Sequence, residues 1–287
     1  PISPPKRFVD MYDPAQFPFL GVRKVYGFVS ALDESIGRIV DEVKAREGMW
    51  QNSLLVFSAD NGGPLETMTN FPMRGGKFSD WEGGVRAAAF VSGGLLPASV
   101  HGSALSGYVM LADWWVTFAL LAGLEPVDEK AARSGLPPVD GLDMWPMLSG
   151  RNLTSPRTVL PLSQHTLTVG PIKVITGRQD YNTWSPRRNW PPDYQCEDRN
   201  ASHREECTPG CLFDVQADPN ERHDLARQNA SLLKETLERL RQVQSTVWHN
   251  CDPPSHCATA DPVACCKAAQ RDYGDTYGPY LDLDPSA

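Results

Sequence analysis

A carboxylate and an amide stand side by side where an apolar stretch of the sequence ends. Leu54–Ser58 is predicted to be a buried strand, and Asp60 and Asn61 follow it directly, ahead of Gly62-Gly63. Neighbouring strand side chains point to opposite faces, so this pair acts together only if the chain is already turning, which the two glycines permit. Their oxygens suit Ca²⁺ or Mg²⁺. The same residues also commonly form a plain turn.

A second group of chemically active side chains lies on a glycine-rich loop shortly afterwards. Arg74, Lys77 and Arg86 stand among four glycines in the sequence NFPMRGGKFSDWEGGVRAAAF. Cations on such a loop, close to a metal site, suit a tetrahedral oxyanion. Arg86 could instead form an ordinary exposed salt bridge with Glu82, so Lys77 is the better candidate for the anion.

Alternating helices and apolar strands must position these two loops. Apolar residues at spacings of three and four predict a helix over residues 25–46 and another over 113–121. Between them, Leu54–Ser58 and Val85–Gly94 are predicted as buried strands. This alternation predicts an α/β fold with a parallel or mixed sheet.

The pattern changes after about residue 157. Short strands are predicted in RTVLPL, IKVITG and CLFDVQ, and a helix over residues 229–247. An antiparallel sheet covered by one helix is a small α+β unit. We therefore predict an α/β part over residues 1–156, a small α+β subdomain over 157–249 and a Cys-rich irregular tail over 250–287.

Composition excludes two classes of partner. The 287-residue chain has a net charge of −8 and no long basic run, which argues against nucleic-acid binding. The longest strongly apolar run, Trp114–Leu124, is too short to span a bilayer. The chain begins PISPPKRF, without an initiator Met, so we expect a processed chain or a fragment.

Cysteines and glycosylation sequons predict an exported protein. All seven cysteines follow residue 195, and their spacing fits a disulfide-bearing segment better than a zinc cluster. Three N-x-S/T sequons begin at Asn152, Asn200 and Asn229. Because seven is odd, at least one cysteine is free or has its partner outside this chain. We expect a tail cysteine, Cys251 or Cys257, to pair outside it.

Together these motifs resemble the C-terminal part of the sulfatase family, with closest likeness to the arylsulfatase B (N-acetylgalactosamine-4-sulfatase) group. The resemblance rests on ALDESIGRIVDEV, VFSADNGG, FPMRGGKFSDWEGGVRAAAFVS, DGLDMW and LFDVQADPNERHDLA, which occur in the expected order. It spans roughly Pro1 to Ser245. It implies an alkaline-phosphatase-like mixed sheet sandwiched by helices, present here in part.

The resemblance also implies the chemistry. Asp60 and Asn61 match residues that complete a Ca²⁺ site, and Lys77 matches a lysine that contacts the sulfate. The nucleophile in such enzymes is a formylglycine made from the Cys of a C-x-P-S/A-x-R motif. The implied function is hydrolysis of aryl or sugar sulfate esters, possibly in glycosaminoglycans, by a lysosomal or secreted enzyme.

This sequence departs from the family pattern at the nucleophile. No C-x-P-x-R occurs, and the sequence from Cys251 to Ser255 has the proline but no arginine. We therefore expect an upstream N-terminal half to be missing, and this chain alone to be inactive. The alternatives are a related phosphodiesterase or phosphonate hydrolase, and a degenerate, non-catalytic sulfatase-like binding protein.

A later aromatic and basic loop is a possible substrate contact. Trp184, Trp190, Arg187 and Arg188 lie in RQDYNTWSPRRNWPPDY. Aromatic rings stack on sugar rings, and arginines bind anions in a bidentate manner. Packing of the aromatic residues on the small subdomain is an equally good interpretation.

Overall fold

The computed structural model describes residues 3–65, 68–184 and 204–246. By its contacts the chain divides into two units, Pro1–Arg241 and Gln242–Ala287, and most of the second unit lies outside the described residues. Apart from residues 242–244 at the end of the last helix, the elements described belong to the first unit. The boundaries predicted near residues 156 and 249 stay predictions.

A short helix and a long helix open the structure. Helix α1 spans Lys6–Val9 and helix α2 spans Leu20–Lys44. They touch at Gly27, where an added Cβ would lie 3.0 Å from the backbone of Phe8 and Val9. Only the first third of α2 contributes buried residues. Its later apolar side chains, such as Ile39, are exposed.

Two strands follow, and a one-turn helix lies between them. Strand β1 spans Leu55–Ser58, helix α3 spans Glu82–Val85 and strand β2 spans Ala89–Ser92. The strands pair antiparallel, from Leu55 opposite Ser92 to Ser58 opposite Ala89. Both were predicted to be buried, but Phe90 is 49% exposed. Within the described ranges β1 and β2 pair only with each other, so each keeps an open edge.

Three further helices complete the first part of the chain. They are α4 (Leu111–Leu121), α5 (Glu129–Arg133) and α6 (Trp145–Leu148). Met144, Met147 and Leu148 form a small core that Val91 and Trp114 cover in part. The described part of the chain contains no helix that is both long and apolar enough to cross a membrane.

An antiparallel sheet of four strands in sequence order forms the next part. The strands are β3 (Val159–Pro161), β4 (Thr166–Val169), β5 (Ile172–Gln179) and β6 (Glu205–Asp214). Strand β4 was not predicted from the sequence, because TLTV is short. Strand β6 was predicted to begin at Cys211, later than it does, because the Thr-Pro-Gly sequence before that residue is typical of a turn. Helix α7, Ala230–Gln244, packs Leu233 near Gly210 of β6. The predicted sheet with one helix is thus present.

A buried ion pair joins α4 to the start of this sheet. Asp113 is fully buried and accepts hydrogen bonds from the guanidinium of Arg157. The same carboxylate accepts bonds from the backbone N–H groups of Met110 and Leu142. The Asp113 carboxylate is therefore fully paired, as a buried charge must be.

Candidate functional site

Three glycine-rich backbone segments interlock around the candidate residues. The amide of Gly62 donates to the carbonyl of Gly84 at 2.8 Å, and the amide of Lys77 donates to the carbonyl of Gly63 at 3.2 Å. The amide of Gly83 donates to the carbonyl of Arg74 at 2.7 Å. The loop after β1, the loop carrying Lys77 and the first turn of α3 therefore form one hydrogen-bonded unit, the glycine-locked unit.

Glycine is required in this unit because the backbones approach too closely for a side chain. A Cβ built at Gly62 would lie 1.7 Å from the carbonyl oxygen of Gly83. A Cβ at Gly76 would lie 2.5 Å from the carbonyl oxygen of Gly63 and 2.6 Å from the side-chain nitrogen Nδ2 of Asn70. The Gly63 oxygen accepts hydrogen bonds from Lys77 and Asn70, and the Gly83 carbonyl lies between the bonded amide of Gly83 and the bonded carbonyl of Gly84. These positions therefore exclude larger residues.

Asn70 ties the two loops together through its side chain, a role that the sequence analysis missed. Its Oδ1 accepts from the amide of Gly63 at 2.8 Å. Its Nδ2 donates to the carbonyl oxygens of Gly63 at 2.8 Å and Gly75 at 3.0 Å. The only sequence feature that points to this role is an Asn five residues before the first glycine of RGGK. A single polar residue in a loop does not predict which backbone groups it binds.

Asp60 and Asn61 keep free oxygen atoms at the start of this unit. The backbone N–H of Asn61 donates to Oδ1 of Asp60 at 2.9 Å, and Nδ2 of Asn61 donates to the carbonyl of Gly62 at 2.9 Å. No hydrogen bond within the described residues engages Oδ2 of Asp60 or Oδ1 of Asn61. Hard oxygen donors of this kind fit Ca²⁺, which takes about six to eight of them. The pair supplies only part of such a set.

No group of three or more His, Cys, Asp or Glu side chains that could hold a metal ion occurs in the part of the chain that the structure describes. Asp60 and Asn61 would therefore need further ligands to complete a calcium site.

Lys77 is half-exposed on the loop that hydrogen bonds to Gly63. Its Nζ lies 5.4 Å from the ring centroid of Phe78, and it forms no salt bridge with any described residue. A lysine without a carboxylate partner keeps its charge available for an anion.

Arg74 and Arg86 differ from Lys77. Arg74 was grouped with the anion-binding cations, but it is only 4% exposed and pairs with Asn182 and Glu205. Its guanidinium lies 3.6 Å from the ring centroid of Trp81. Burial lowers the pKa of Arg74, and Glu205 opposes that shift. Arg74 is therefore a buried link between the loop and the small sheet.

The expected Glu82–Arg86 pair is a minor contact. The two charged groups are 4.0 Å apart, and Glu82 is buried. The main partner of Glu82 is the fully buried Lys173 of β5, whose Nζ lies 2.9 Å from Oε1 of Glu82 and 2.9 Å from Oε1 of Glu221. Oε2 of Glu221 accepts from the backbone N–H of Glu82 at 2.7 Å.

This buried cluster of Glu82, Lys173 and Glu221 joins two sequence motifs, WEGG and DPNERHDLA. Burial raises the pKa of Glu221, and the attraction of Lys173 opposes this only in part. Burial lowers the pKa of Lys173, but the two carboxylates more than offset it, so its pKa is raised. Burial disfavours the charged form of Glu221 and is the main cause of its raised pKa, to which the nearby Glu82 carboxylate adds a smaller effect.

Asp80 anchors the Lys77 loop to the small sheet. Its Oδ2 accepts from the hydroxyl groups of Ser163 and Thr166, each at 2.6 Å. The fully buried Trp81 beside it packs against Ile175 and Phe213 of the sheet core. The small sheet thus holds the loop that carries the candidate anion-binding lysine.

Of the four possible substrate contacts, only Trp184 lies within the described residues. Trp184 donates from Nε1 to the carbonyl of Asn220 at 2.6 Å, and its ring lies between the guanidinium groups of Arg74 and Arg222, each 4.8 Å from the centroid. Trp184 therefore packs on the small sheet. The other three predicted contacts, Arg187, Arg188 and Trp190, lie outside the described residues.

Two sequon residues and one disulfide bear on the predicted export. Asn152 and Asn229 are exposed, and Asn200 lies outside the described residues. Cys207 and Cys211 form a disulfide within β6. The remaining five cysteines lie outside the described residues, so the predicted pairing of Cys251 or Cys257 stays a prediction.

Comparison with known proteins finds similarity to sulfatases. Residues 5–124 match the family model described as sulfatase. Arylsulfatase J of Mus musculus is 29% identical over 310 residues, which cover 98% of this chain and 48% of that protein. Arylsulfatase A of Homo sapiens is 28% identical over 225 residues, covering 74% of this chain and 41% of that protein. The chain thus spans about half the length of the curated relatives it matches.

Solved structures agree on the fold. PsFucS1 sulfatase from Pseudoalteromonas sp. matches with a TM-score of 0.58 at 24% identity, covering 78% of this chain and 42% of that chain. The structural neighbours are sulfatases with an alkaline-phosphatase-like fold. The α/β fold class predicted from the sequence, present here in part, is confirmed.

Proposed function

We propose that this chain is part of a sulfuric ester hydrolase of the arylsulfatase type and contributes the calcium-binding and sulfate-binding side of its active site. The observation that carries the proposal is the glycine-locked unit. It ties Asp60 and Asn61, with their free oxygens, to the loop of the unpaired Lys77 through the Lys77–Gly63 hydrogen bond.

Asp60 and Asn61 would hold the calcium ion. Asp60 supplies a charged oxygen and Asn61 a neutral one, and the hydrogen bonds that Asn61 makes to Asp60 and Gly62 fix both side chains before a cation binds. When bound, Ca²⁺ supplies positive charge that stabilises the sulfate oxygens during hydrolysis. The preorganised pair avoids the cost of ordering the ligands.

Lys77 would bind a sulfate oxygen. Its backbone is fixed at Gly63 and its loop is anchored by Asp80, while no carboxylate among the described residues pairs with its ammonium. A cation held in place in this way stabilises negative charge on the sulfate without reorganising during the reaction.

The nucleophile would come from an upstream half of the same protein, because no C-x-P-S/A-x-R motif occurs in these 287 residues. Exposed apolar side chains on α2, α4 and β2, such as Ile39, Phe118 and Phe90, support this, since an adjoining half-domain would cover them. The shares of 48% and 41% of the relatives' lengths also support it. This chain alone would then be inactive.

The substrate would be an aryl or sugar sulfate ester, with sulfated glycosaminoglycans as one candidate, and the arylsulfatase B-like grouping is part of this proposal. Export to the lysosome or the cell exterior is supported by the Cys207–Cys211 disulfide and by the exposed sequon residues Asn152 and Asn229. We infer that the enzyme meets its substrate in the secretory pathway or beyond it.

The experiment measures hydrolysis of 4-nitrophenyl sulfate by the completed protein, meaning this chain joined to its upstream half. We expect activity that a calcium chelator abolishes and added Ca²⁺ restores. Lys77→Ala should lower kcat/KM by about 100- to 1,000-fold, the usual cost of one preorganised charge contact. Lys130→Ala, at an exposed lysine of α5, is the matched control. Equal rates for both variants would contradict the role of Lys77.

A further inference from the structure

Two aromatic residues beside Lys77 have a backbone conformation that large side chains normally avoid. In the described part of the chain only three residues other than glycine have positive φ: Phe78 at 74°, Tyr181 at 57° and Glu221 at 52°. Such a conformation costs a bulky residue roughly 1–3 kcal/mol, and it persists only where the surroundings impose it.

The rings of Phe78 and Tyr181 lie close together at the protein surface. Their centroids are 6.3 Å apart and their planes are tilted by 30°. Phe78 is 75% exposed, so its ring adds almost nothing to the core, and Tyr181 is half-buried. Nζ of Lys77 lies 5.4 Å from the Phe78 centroid. An exposed phenylalanine in a strained conformation is unfavourable twice over, which makes a purely structural role a poor explanation.

The backbone on both sides of Phe78 is held in place. The amide of Lys77 donates to the carbonyl of Gly63 at 3.2 Å, and the amide of Ser79 donates to the carbonyl of Gly76 at 3.1 Å. The hydroxyl of Ser79 also donates to Gly76 at 2.7 Å. The glycine-locked unit therefore imposes the direction in which the Phe78 ring points.

Tyr181 is held by different contacts to the same loop. Nε1 of Trp81 donates to the carbonyl of Asp180 at 3.2 Å, and the amide of Gly75 donates to the carbonyl of Thr183 at 2.8 Å. Asn182, which directly follows Tyr181, accepts a hydrogen bond from the guanidinium of Arg74. Two chain segments about a hundred residues apart are thus fixed so that one aromatic ring from each meets beside Lys77.

We propose that Phe78 and Tyr181 form an aromatic platform that binds the apolar face of the ring carrying the sulfate ester while Lys77 binds the sulfate. This deepens the proposed function and rests on it. A sulfate ester is attached directly to its ring, so a sulfate at Lys77 brings that ring to the adjacent Phe78. Aryl rings and pyranose rings both present a flat apolar face that stacks on aromatic side chains.

The test measures equilibrium binding to the completed protein, by NMR titration in the presence of Ca²⁺, with three probes. Phenyl sulfate and N-acetylgalactosamine 4-sulfate carry a ring, and inorganic sulfate does not. Phe78→Gly should raise the Kd of the ring-bearing probes about tenfold and leave that of inorganic sulfate unchanged, since stacking contributes about 1 kcal/mol or slightly more. Its melting temperature should be equal or higher, because glycine accepts a φ of 74° without strain.

Two further variants separate the platform from a general effect on the loop. Tyr181→Phe keeps a ring and should bind all three probes as the wild type does, whereas Tyr181→Gly should weaken only the ring-bearing probes. Lys77→Ala should weaken all three. A Kd increase confined to phenyl sulfate or to the sugar sulfate identifies which ring the platform binds.

The outcomes distinguish this inference from the proposed function. If the wild type hydrolyses no sulfate ester but Phe78→Gly still loses affinity for the ring-bearing probes, the hydrolase proposal fails and the platform stands. If turnover is present but Phe78→Gly binds every probe with wild-type affinity, the platform is overturned and the hydrolase proposal stands. A wild type that binds phenyl sulfate no more tightly than inorganic sulfate also overturns the platform.

Discussion

The parts of the chain before and after Pro156 bury their apolar side chains to very different extents. Every exposed large apolar side chain among the described residues lies between Met11 and Leu153. In the small sheet, by contrast, the side chains of Leu167, Val174, Ile175 and Leu212 are fully buried. The sheet has a well-buried core, to which Trp81 of the earlier part contributes, while the earlier part leaves many apolar side chains exposed.

The glycine-locked unit lies where these two parts meet. Its loops precede the sheet in the chain, yet Arg74, Asp80, Trp81 and Glu82 all attach to the sheet. The sheet therefore acts as the rigid support of the candidate site, and the predictions below test that difference.

The largest effect is expected at the buried cluster that joins the two parts. Lys173→Met should lower the free energy of unfolding by about 3–5 kcal/mol, because it leaves the Glu82 and Glu221 carboxylates buried without a cation. Urea denaturation of the completed protein measures it, with the exposed Lys234→Met of α7 as control. A loss no greater than that of the control would contradict the view that the sheet supports the loop.

The next largest loss of stability is expected inside the glycine-locked unit. Gly62→Ala should cost at least 1–3 kcal/mol, because its Cβ overlaps the carbonyl oxygen of Gly83. The matched control is Gly37→Ala in α2, where an added Cβ meets nothing within 4 Å. That change should stabilise the protein by about 0.5–1 kcal/mol through better helix propensity. Equal effects in the two variants would show that the close approach is not needed.

The buried cluster should also make stability depend on pH in an unusual direction. A raised pKa means that folded Glu221 holds its proton more tightly than the unfolded chain does. Its contribution therefore becomes more favourable as pH falls through the folded-state pKa towards the ordinary value of 4.5, and is constant below it. The raised pKa of Lys173 keeps its contribution constant until strongly alkaline pH.

The measurement is the difference in unfolding free energy between the wild type and Glu221→Gln as a function of pH. The wild type should gain stability relative to the variant as pH falls over that range. A difference that is independent of pH, or one that shrinks on acidification, would be inconsistent with a raised pKa.

The smallest change in the free energy of unfolding is expected at an exposed apolar side chain of α2. Ile39→Gln on α2 should change the stability of the present chain by less than about 0.5 kcal/mol, because the side chain is 60% exposed. In the completed protein the same change should cost about 1.5–3 kcal/mol, because an upstream half would bury that side chain. The same small cost in both forms would argue against an upstream cover over α2.

Sequence patterns predicted the helices and strands far better than they predicted which side chains pair with one another. The 3.6-residue period located α2, α4 and α7, and the apolar run located β1. Local pattern could not reveal that Glu82 pairs with Lys173, 91 residues away, instead of Arg86. Nor could it reveal that Arg74 is buried while Lys77 is free, since both are cations on one loop and only the distant Asn182 and Glu205 distinguish them.

The most direct test of the central claim is the calcium dependence of 4-nitrophenyl sulfate hydrolysis by the completed protein carrying Asp60→Ala. Loss of a charged ligand should raise the half-saturating Ca²⁺ concentration by at least about tenfold and lower the maximal rate. Asn61→Ala removes only a neutral oxygen and should have a smaller effect. If Asp60→Ala keeps wild-type turnover and wild-type calcium dependence, Asp60 is not a metal ligand and the proposed site is wrong.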